Sequence, residues 1–341
     1  MKMKKHFMTI LTVILALAMI FTVVACDKKP DEPKTTDPEP VKTDKPAEPT
    51  TQASEEPEPA GDQTIHVYTR DSASGTREGF EAVIGFKDKL TEKANEVASN
   101  GAMAQQVGQD INGIGYVSLV TNFAENNLKP LNYEGVEASE ANVINGTYTL
   151  KRPFCFTTRA ADDYKSDDQK AIVAAFLAYM TDSKEGREVV VAAGGIADVE
   201  AGKPWDELKK DHPIVDQDNS GLTIVCGGST SVEKCVKASL ESFQGIAGNV
   251  QFKLDQTGSG DGWKRVLGDD KDGPNASDIG FASRNFKEDK EPVDTAMRSE
   301  EFCQDAIVAI VHKDNPVSNV TKDDLFNIFT GAAATWDEIG K

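Results

Sequence analysis

The chain has 341 residues and a formal net charge of −19, too acidic a surface for nucleic acid or an anionic lipid bilayer to be its partner. Its four histidines and five cysteines include no CxxC pair and no metal-ligand spacing, so neither a metal nor another cofactor is expected. Any anionic ligand has to be held by local dipoles rather than by bulk charge.

Lys2, Lys4 and Lys5 precede an almost uninterrupted apolar run over 7–25, the charged and apolar parts of a secretory signal. The run closes on Val23-Val24-Ala25-Cys26, which resembles the lipobox of bacterial lipoproteins. That resemblance implies a signal peptide over 1–25, cut before Cys26, and a lipid on the Cys26 thiol. An uncleaved anchor is the alternative, since about 20 apolar residues span a bilayer. Both place the remainder on the outer face of the cell membrane. Without the three lysines the net charge falls from −19 to −22.

Over 26–63 the chain is Pro, Glu, Asp, Lys and Thr, with prolines at 30, 33, 38, 40, 46, 49, 57 and 59. Such a segment buries too little apolar surface to offset its chain entropy. It reads as an extended tether. The rest is long enough for two lobes, each with its own core.

Beyond the tether, short β-rich runs alternate with longer amphipathic stretches, an α/β pattern. Strands are expected over 64–69, 114–119, 222–226, 250–254, 279–282 and 306–312. Helices are expected over 78–86, 169–181, 185–193, 232–243, 262–267 and 322–329. No eightfold rhythm is present, which favours open sheets over a barrel. In open sheets ligands sit at the carboxyl ends of strands.

Three strand-to-helix loops share one chemistry. Gly227-Gly228-Ser229-Thr230-Ser231 follows the strand at 222–226. Gln256-Thr257-Gly258-Ser259-Gly260-Asp261-Gly262 follows the strand at 250–254. Arg70-Asp71-Ser72-Ala73-Ser74-Gly75-Thr76 follows the strand at 64–69. Helix N-termini offer unpaired N–H groups, glycine lets an oxyanion approach, and Ser or Thr adds donors. Read alone, each loop is an ordinary N-cap. Three together, one carrying an Arg able to grip two oxygens, point to an oxyanion site. None matches a P-loop or a dinucleotide fingerprint.

These loops resemble the phosphate-binding proteins of bacterial ABC importers. The resemblance is also carried by Asp278-Ile279-Gly280-Phe281-Ala282-Ser283-Arg284, Gly113-Ile114-Gly115-Tyr116-Val117-Ser118-Leu119 and Asn315-Pro316-Val317-Ser318-Asn319. Ile328-Phe329-Thr330-Gly331 with Trp336, and the segment 148–153, belong to it as well. Relative to the family the two halves stand in swapped order, as in a circular permutation; a truncated tandem duplication is the alternative. The resemblance implies a two-lobed, periplasmic-binding-protein-like α/β fold of type II with a ligand cleft between the lobes. One lobe would combine 64–148 with 302–341, and the other would span 149–301. It implies a monomeric, non-enzymatic carrier of inorganic phosphate that delivers to an ABC permease. The implied ligand contacts are Arg70, Ser74, Gly75, Thr76, Thr230, Ser231, Ser259 and Asp278. Ser72 and Ala73 depart from the family pattern, which more often has an acidic residue and Gly there.

Asp278 carries a physical expectation of its own. A carboxylate beside an anion repels it unless the ligand donates a proton, as hydrogen phosphate does and sulfate does not. Arg77 is expected to brace its loop, Arg284 to do so or to touch the ligand, and Tyr116 and Trp336 to pack in the interior. Rival readings are a phosphate-ester hydrolase, a sensor or adhesion module on the same fold, and a carrier for another oxyanion.

Overall fold

The computed structural model describes residues 63–339; the expectations for the leader, for Cys26 and for the tether up to residue 62 lie outside them. Among the described residues eleven strands occur: β1 (His66–Arg70), β2 (Asn95–Val97), β3 (Gly113–Ser118), β4 (Leu128–Pro130), β5 (Asn132–Tyr133), β6 (Lys151–Thr158), β7 (Thr223–Gly228), β8 (Gln251–Gln256), β9 (Ile279–Ala282), β10 (Ser299–His312) and β11 (Asn319–Val320). Nine of them form a mixed sheet in the order β2-β1-β3-β10-β6-β9-β7-β8, with β4 beside β10, while β5 and β11 pair separately. The α/β expectation holds.

Local chemistry explains most boundaries. Every residue of β3 and β9 is buried, which fits their unbroken apolar or small-residue runs at interior positions of the sheet. Helices Gly75–Ile84, Asn100–Val107, Asp167–Leu177 and Lys184–Ala192 start behind Ser74, Ser99, Ser166 and Ser183, each accepting a backbone N–H. Helix Lys322–Thr330 has a full capping box between Thr321 and Asp324.

Three of the departures from the sequence expectation have a traceable cause. Pro153 argues against a strand at β6, because proline brings no N–H to a ladder. Its partner Gln304 loses nothing, since Gln304 exchanges backbone bonds of 2.8 and 2.9 Å with Ile196 instead. β10 extends back to Ser299 through the polar stretch Ser-Glu-Glu, recruited by pairing with β6 rather than by its own pattern. Helix Asn100–Val107 was hidden by Gly101 and by its weak apolar periodicity.

Buried apolar side chains form two separate clusters. One draws on Ile65–Leu150, Ile196 and Ala306–Ile339, and centres on Phe80 stacked with Tyr116 at 4.3 Å. The other draws on Val120 and on positions between Phe154 and Cys303, and includes Phe176 against Phe243 at 5.5 Å. The chain crosses between the clusters near Leu150–Phe154 and near Cys303–Ala306, and Val120, just beyond β3, reaches into the second cluster from the first. At the last two, β6 and β10 run antiparallel, with Arg152 opposite Asp305.

Candidate functional site

At the carboxyl end of β1, Arg70 is 1% exposed. Its Nε donates to the Val97 carbonyl at 3.3 Å, and its Nη2 to the Ala98 carbonyl at 3.1 Å and to Asp71 Oδ2 at 3.4 Å. Nη1 has no protein partner among the described residues. Burial pulls the guanidinium pKa down, and the Asp71 charge opposes it. Arg77 braces the turn, donating to the Arg70 carbonyl at 2.8 Å and to Glu81 at 2.6 Å, the structural role expected of it. Tyr116 is buried, accepts the Arg70 backbone N–H at 3.1 Å, and has its hydroxyl pKa pushed up to about 12 by burial.

The three loops converge. Thr76 Oγ1 lies 2.9 Å from Ser231 Oγ, joining the first loop to the one after β7. The Gly260 N–H donates to the Ala73 carbonyl at 3.1 Å, joining the first loop to the one after β8. Gly75 is required here: a Cβ on it would stand 2.4 Å from Ser259 Oγ and 2.9 Å from Ser283 Oγ. Gly228, at φ 120°, turns the chain out of β7 where a Cβ would meet the Phe281 carbonyl at 2.1 Å. Ser74 caps its helix, but Ser229, Thr230 and Ser231 cap none: the helix Glu233–Gln244 starts behind Val232 without a side-chain cap. Thr230 Oγ1 instead accepts the Asn100 N–H at 3.2 Å, so the unforeseen helix Asn100–Val107 also starts at this cluster.

Seven of the eight residues read from the sequence are thus gathered in one buried region. Asp278 is not among them. It precedes β9, while the cluster gathers where β9 ends, about 16 Å further on at ~3.3 Å per residue. Its Oδ2 accepts the Val225 N–H at 2.9 Å and Gln169 Nε2 at 3.0 Å. Burial pushes its carboxyl pKa up. It lines a separate cleft of about 680 Å³ with Arg159, Lys165, Gln169 and Lys271. The expectation that Asp278 faces the anion loops is therefore corrected.

The position that β9 delivers to the cluster is Ser283. Its Oγ lies 3.2 Å from Ser259 Oγ, and its N–H donates to Ser259 Oγ at 3.0 Å. It also accepts from Arg152 Nη1 at 3.3 Å. Arg152 donates through Nε and Nη2 to Asp305 Oδ2 at 2.9 and 2.8 Å. Asp305 Oδ1 accepts Ser118 Oγ at 2.8 Å and the Leu119 N–H at 3.1 Å, so one carboxylate ties both crossings between the cores to the end of β3. Burial lowers the Arg152 pKa and raises that of Asp305, and their contact opposes both shifts. Ser283 was findable, because it follows a strand and Asp278 precedes one. Arg152 and Asp305 carry no local signal. Arg284 braces, pairing with Glu291 at 2.6 Å and with Glu78 at 3.0 Å.

Comparison with known proteins agrees with this architecture. Residues 213–341 match the PBP superfamily domain. A phosphate-binding protein PstS 2 from Streptococcus agalactiae is 28% identical over 287 residues, covering 82% of this chain and 88% of the relative. The phosphate-binding protein PstS of Pseudomonas aeruginosa is 32% identical over 136 residues, covering 39% of this chain and 41% of its own length. In structure, the phosphate-binding protein of a phosphate ABC transporter from Streptococcus pneumoniae superposes with a TM-score of 0.57 at 26% identity, over 81% of this chain and all of the other. The chain is thus similar to phosphate-binding proteins over most of its length, and its fold is the periplasmic-binding-protein-like one.

Proposed function

We propose that this chain captures inorganic phosphate outside the cytoplasm and hands it to the permease of an ABC importer, without catalysing a reaction. The observation that carries the reading is Arg70, a buried guanidinium with one nitrogen lacking a protein acceptor, beside a closed group of hydroxyls and helix starts. Burying a cation costs several kcal/mol unless an anion completes its shell. Donors from four loops plus that guanidinium suit a tetrahedral oxyanion. Arg70, Ser74, Gly75, Thr76, Thr230, Ser231 and Ser259 keep the ligand-contact roles that the resemblance implies, and Ser283 takes the place that Asp278 held. The comparisons support the same ligand, since each relative named above binds phosphate by name.

A carrier rather than a catalyst is supported by the hydroxyls' surroundings. Among the described residues, none of these hydroxyls is bonded to a histidine that would activate it. A lipid anchor on Cys26 rests on the sequence alone and is tested by loss of palmitate labelling in Cys26→Ala. The two cores support lobes over 64–148 with 302–341 and over 149–301. The match lengths support a segment order shared with the streptococcal relative and swapped against the Pseudomonas one, where a collinear match spans under half of either chain.

The reading is tested by titrating phosphate into the chain from residue 27 onward with Cys26 absent. One site per monomer is expected. A flat titration, or sites that appear only on dimerisation, would refute it.

A further inference from the structure

Thr76, Ser231, Ser259 and Ser283 are all buried, so no anion reaches or leaves their hydroxyls while the loops touch. Exchange therefore requires the loops to part, and they belong to different cores. Helix Gly75–Ile84 packs Phe80 and Ile84 into the first core. β9 and helix Glu233–Gln244 pack Ile279, Phe281, Val236 and Leu240 into the second. Parting breaks the bonds of Thr76 to Ser231, Gly260 to Ala73 and Asn100 to Thr230. Those three are neutral and exchange for water at little net cost.

A fourth contact between the cores is charged. Two residues beyond Thr76, Glu78 Oε2 stands 3.0 Å from Arg284 Nε and 2.8 Å from Lys287 Nζ, and Arg284 directly follows Ser283. The approach to Nε is an ion pair rather than an aligned hydrogen bond. Among the described residues, the other ion pair between the cores is Arg152–Asp305, at the crossings themselves. The socket for Glu78 is built on one core. Glu291 is buried, takes Arg284 Nη1 at 2.6 Å and Nη2 at 2.8 Å, and accepts the Lys287 N–H at 3.0 Å. That carboxylate holds both cations in place and neutralises one of them. Glu78 answers the second from the other core. The Glu78 and Lys287 side chains are 44% and 38% exposed, so this contact opens and closes in water.

We infer that Glu78 is a clasp on the site: it closes onto Arg284 and Lys287 once the loops have met, and sets how fast the anion leaves without touching it. The inference rests on the reading that the hydroxyl cluster holds phosphate. Glu78 acts through the loops that carry Thr76 and Ser283, and is a positioning residue. A contact made after encounter governs dissociation and hardly alters association.

The test uses the chain from residue 27 onward with Cys26 absent, and radiolabelled inorganic phosphate followed by rapid filtration. Glu78→Gln is expected to speed dissociation by about threefold to tenfold, with association within about twofold of wild type. Lys287→Gln should speed dissociation by about twofold, and add nothing in the Glu78→Gln background, where its partner charge is already gone. Sodium chloride should speed release from wild type and leave Glu78→Gln nearly unchanged, because screening acts on the half-exposed pair. Dissociation from Glu78→Gln within about 1.5-fold of wild type, at one phosphate per monomer, would overturn the clasp and leave the phosphate reading intact. Slower association with unchanged dissociation, or additive effects of the two substitutions, would overturn it as well. No phosphate binding by wild type would sink both. If Glu78→Gln does not fold, Lys287→Gln and the salt dependence of wild type still decide.

Discussion

The strand β9 has a different chemistry at each end, and the contrast shows how this fold separates structure from function. At its amino end, Asp278 meets Val225, Gln169 and a cleft with Arg159, Lys165 and Lys271. The charges there largely answer one another: Arg159 bonds Asp163 at 2.9 Å, and Lys271 bonds Asp272 at 2.8 Å. At its carboxyl end, Ser283 joins Ser259, Gly75 and Arg152 in a buried cluster built of hydroxyls, backbone amides and guanidinium groups. Parallel strands aim the starts of their following helices at one end of a sheet, so donors collect there and not at the other. A charged side chain is therefore a poorer marker of this site than its place relative to the strand.

The largest expected effect tests what holds the carboxyl end together. Asp305→Ala strands a buried Arg152, frees Ser118 and unties the two crossings between cores from the end of β3, and should cost about 3–5 kcal/mol in urea denaturation. A loss under about 1 kcal/mol would mean that the pair is dispensable. Next, Arg70→Ala should weaken phosphate binding by about 2–4 kcal/mol in calorimetry, by removing a charge-assisted contact in a buried site. A change below about tenfold would place Arg70 outside the site. Ser259→Ala, removing one hydroxyl donor, should cost about 1 kcal/mol of affinity.

The smallest effects belong to the opposite end and to the interior. Asp278→Asn should leave the phosphate dissociation constant within about threefold of wild type, since it keeps a carbonyl acceptor for the Val225 N–H, far from the cluster. A tenfold loss would return Asp278 to the site. Cys155, Cys226, Cys235 and Cys303 are buried free thiols, and burial pushes the Cys155 pKa up to about 12. At pH 8 they should resist alkylation until the chain is denatured, as read by mass spectrometry.

Much of the fold was legible because its signals are local. The four apolar or small residues of β9 and the cap-and-period pattern of Lys322–Thr330 each identify their element unaided. The anion loops were legible for the same reason, as strand, small residues, then helix. What escaped depends on partners distant in sequence. β6 forms despite Pro153 because Ile196 satisfies Gln304, and the polar start of β10 is a strand only because β6 lies beside it. Arg152 and Asp305 pair across 153 positions, which no window along the chain can show. Asp278 escaped for another reason: the resemblance identifies the segment 278–284 but not which end of β9 meets the loops, and that end is Ser283.

A crystal structure grown with phosphate separates the two ends of β9 in a single measurement. The account predicts the anion within hydrogen-bond reach of Arg70 Nη1 and of the Thr76 and Ser259 hydroxyls, with Asp278 still bonded to Val225. An anion found instead beside Arg159, Lys165 and Lys271, with the hydroxyl cluster unchanged, would contradict it.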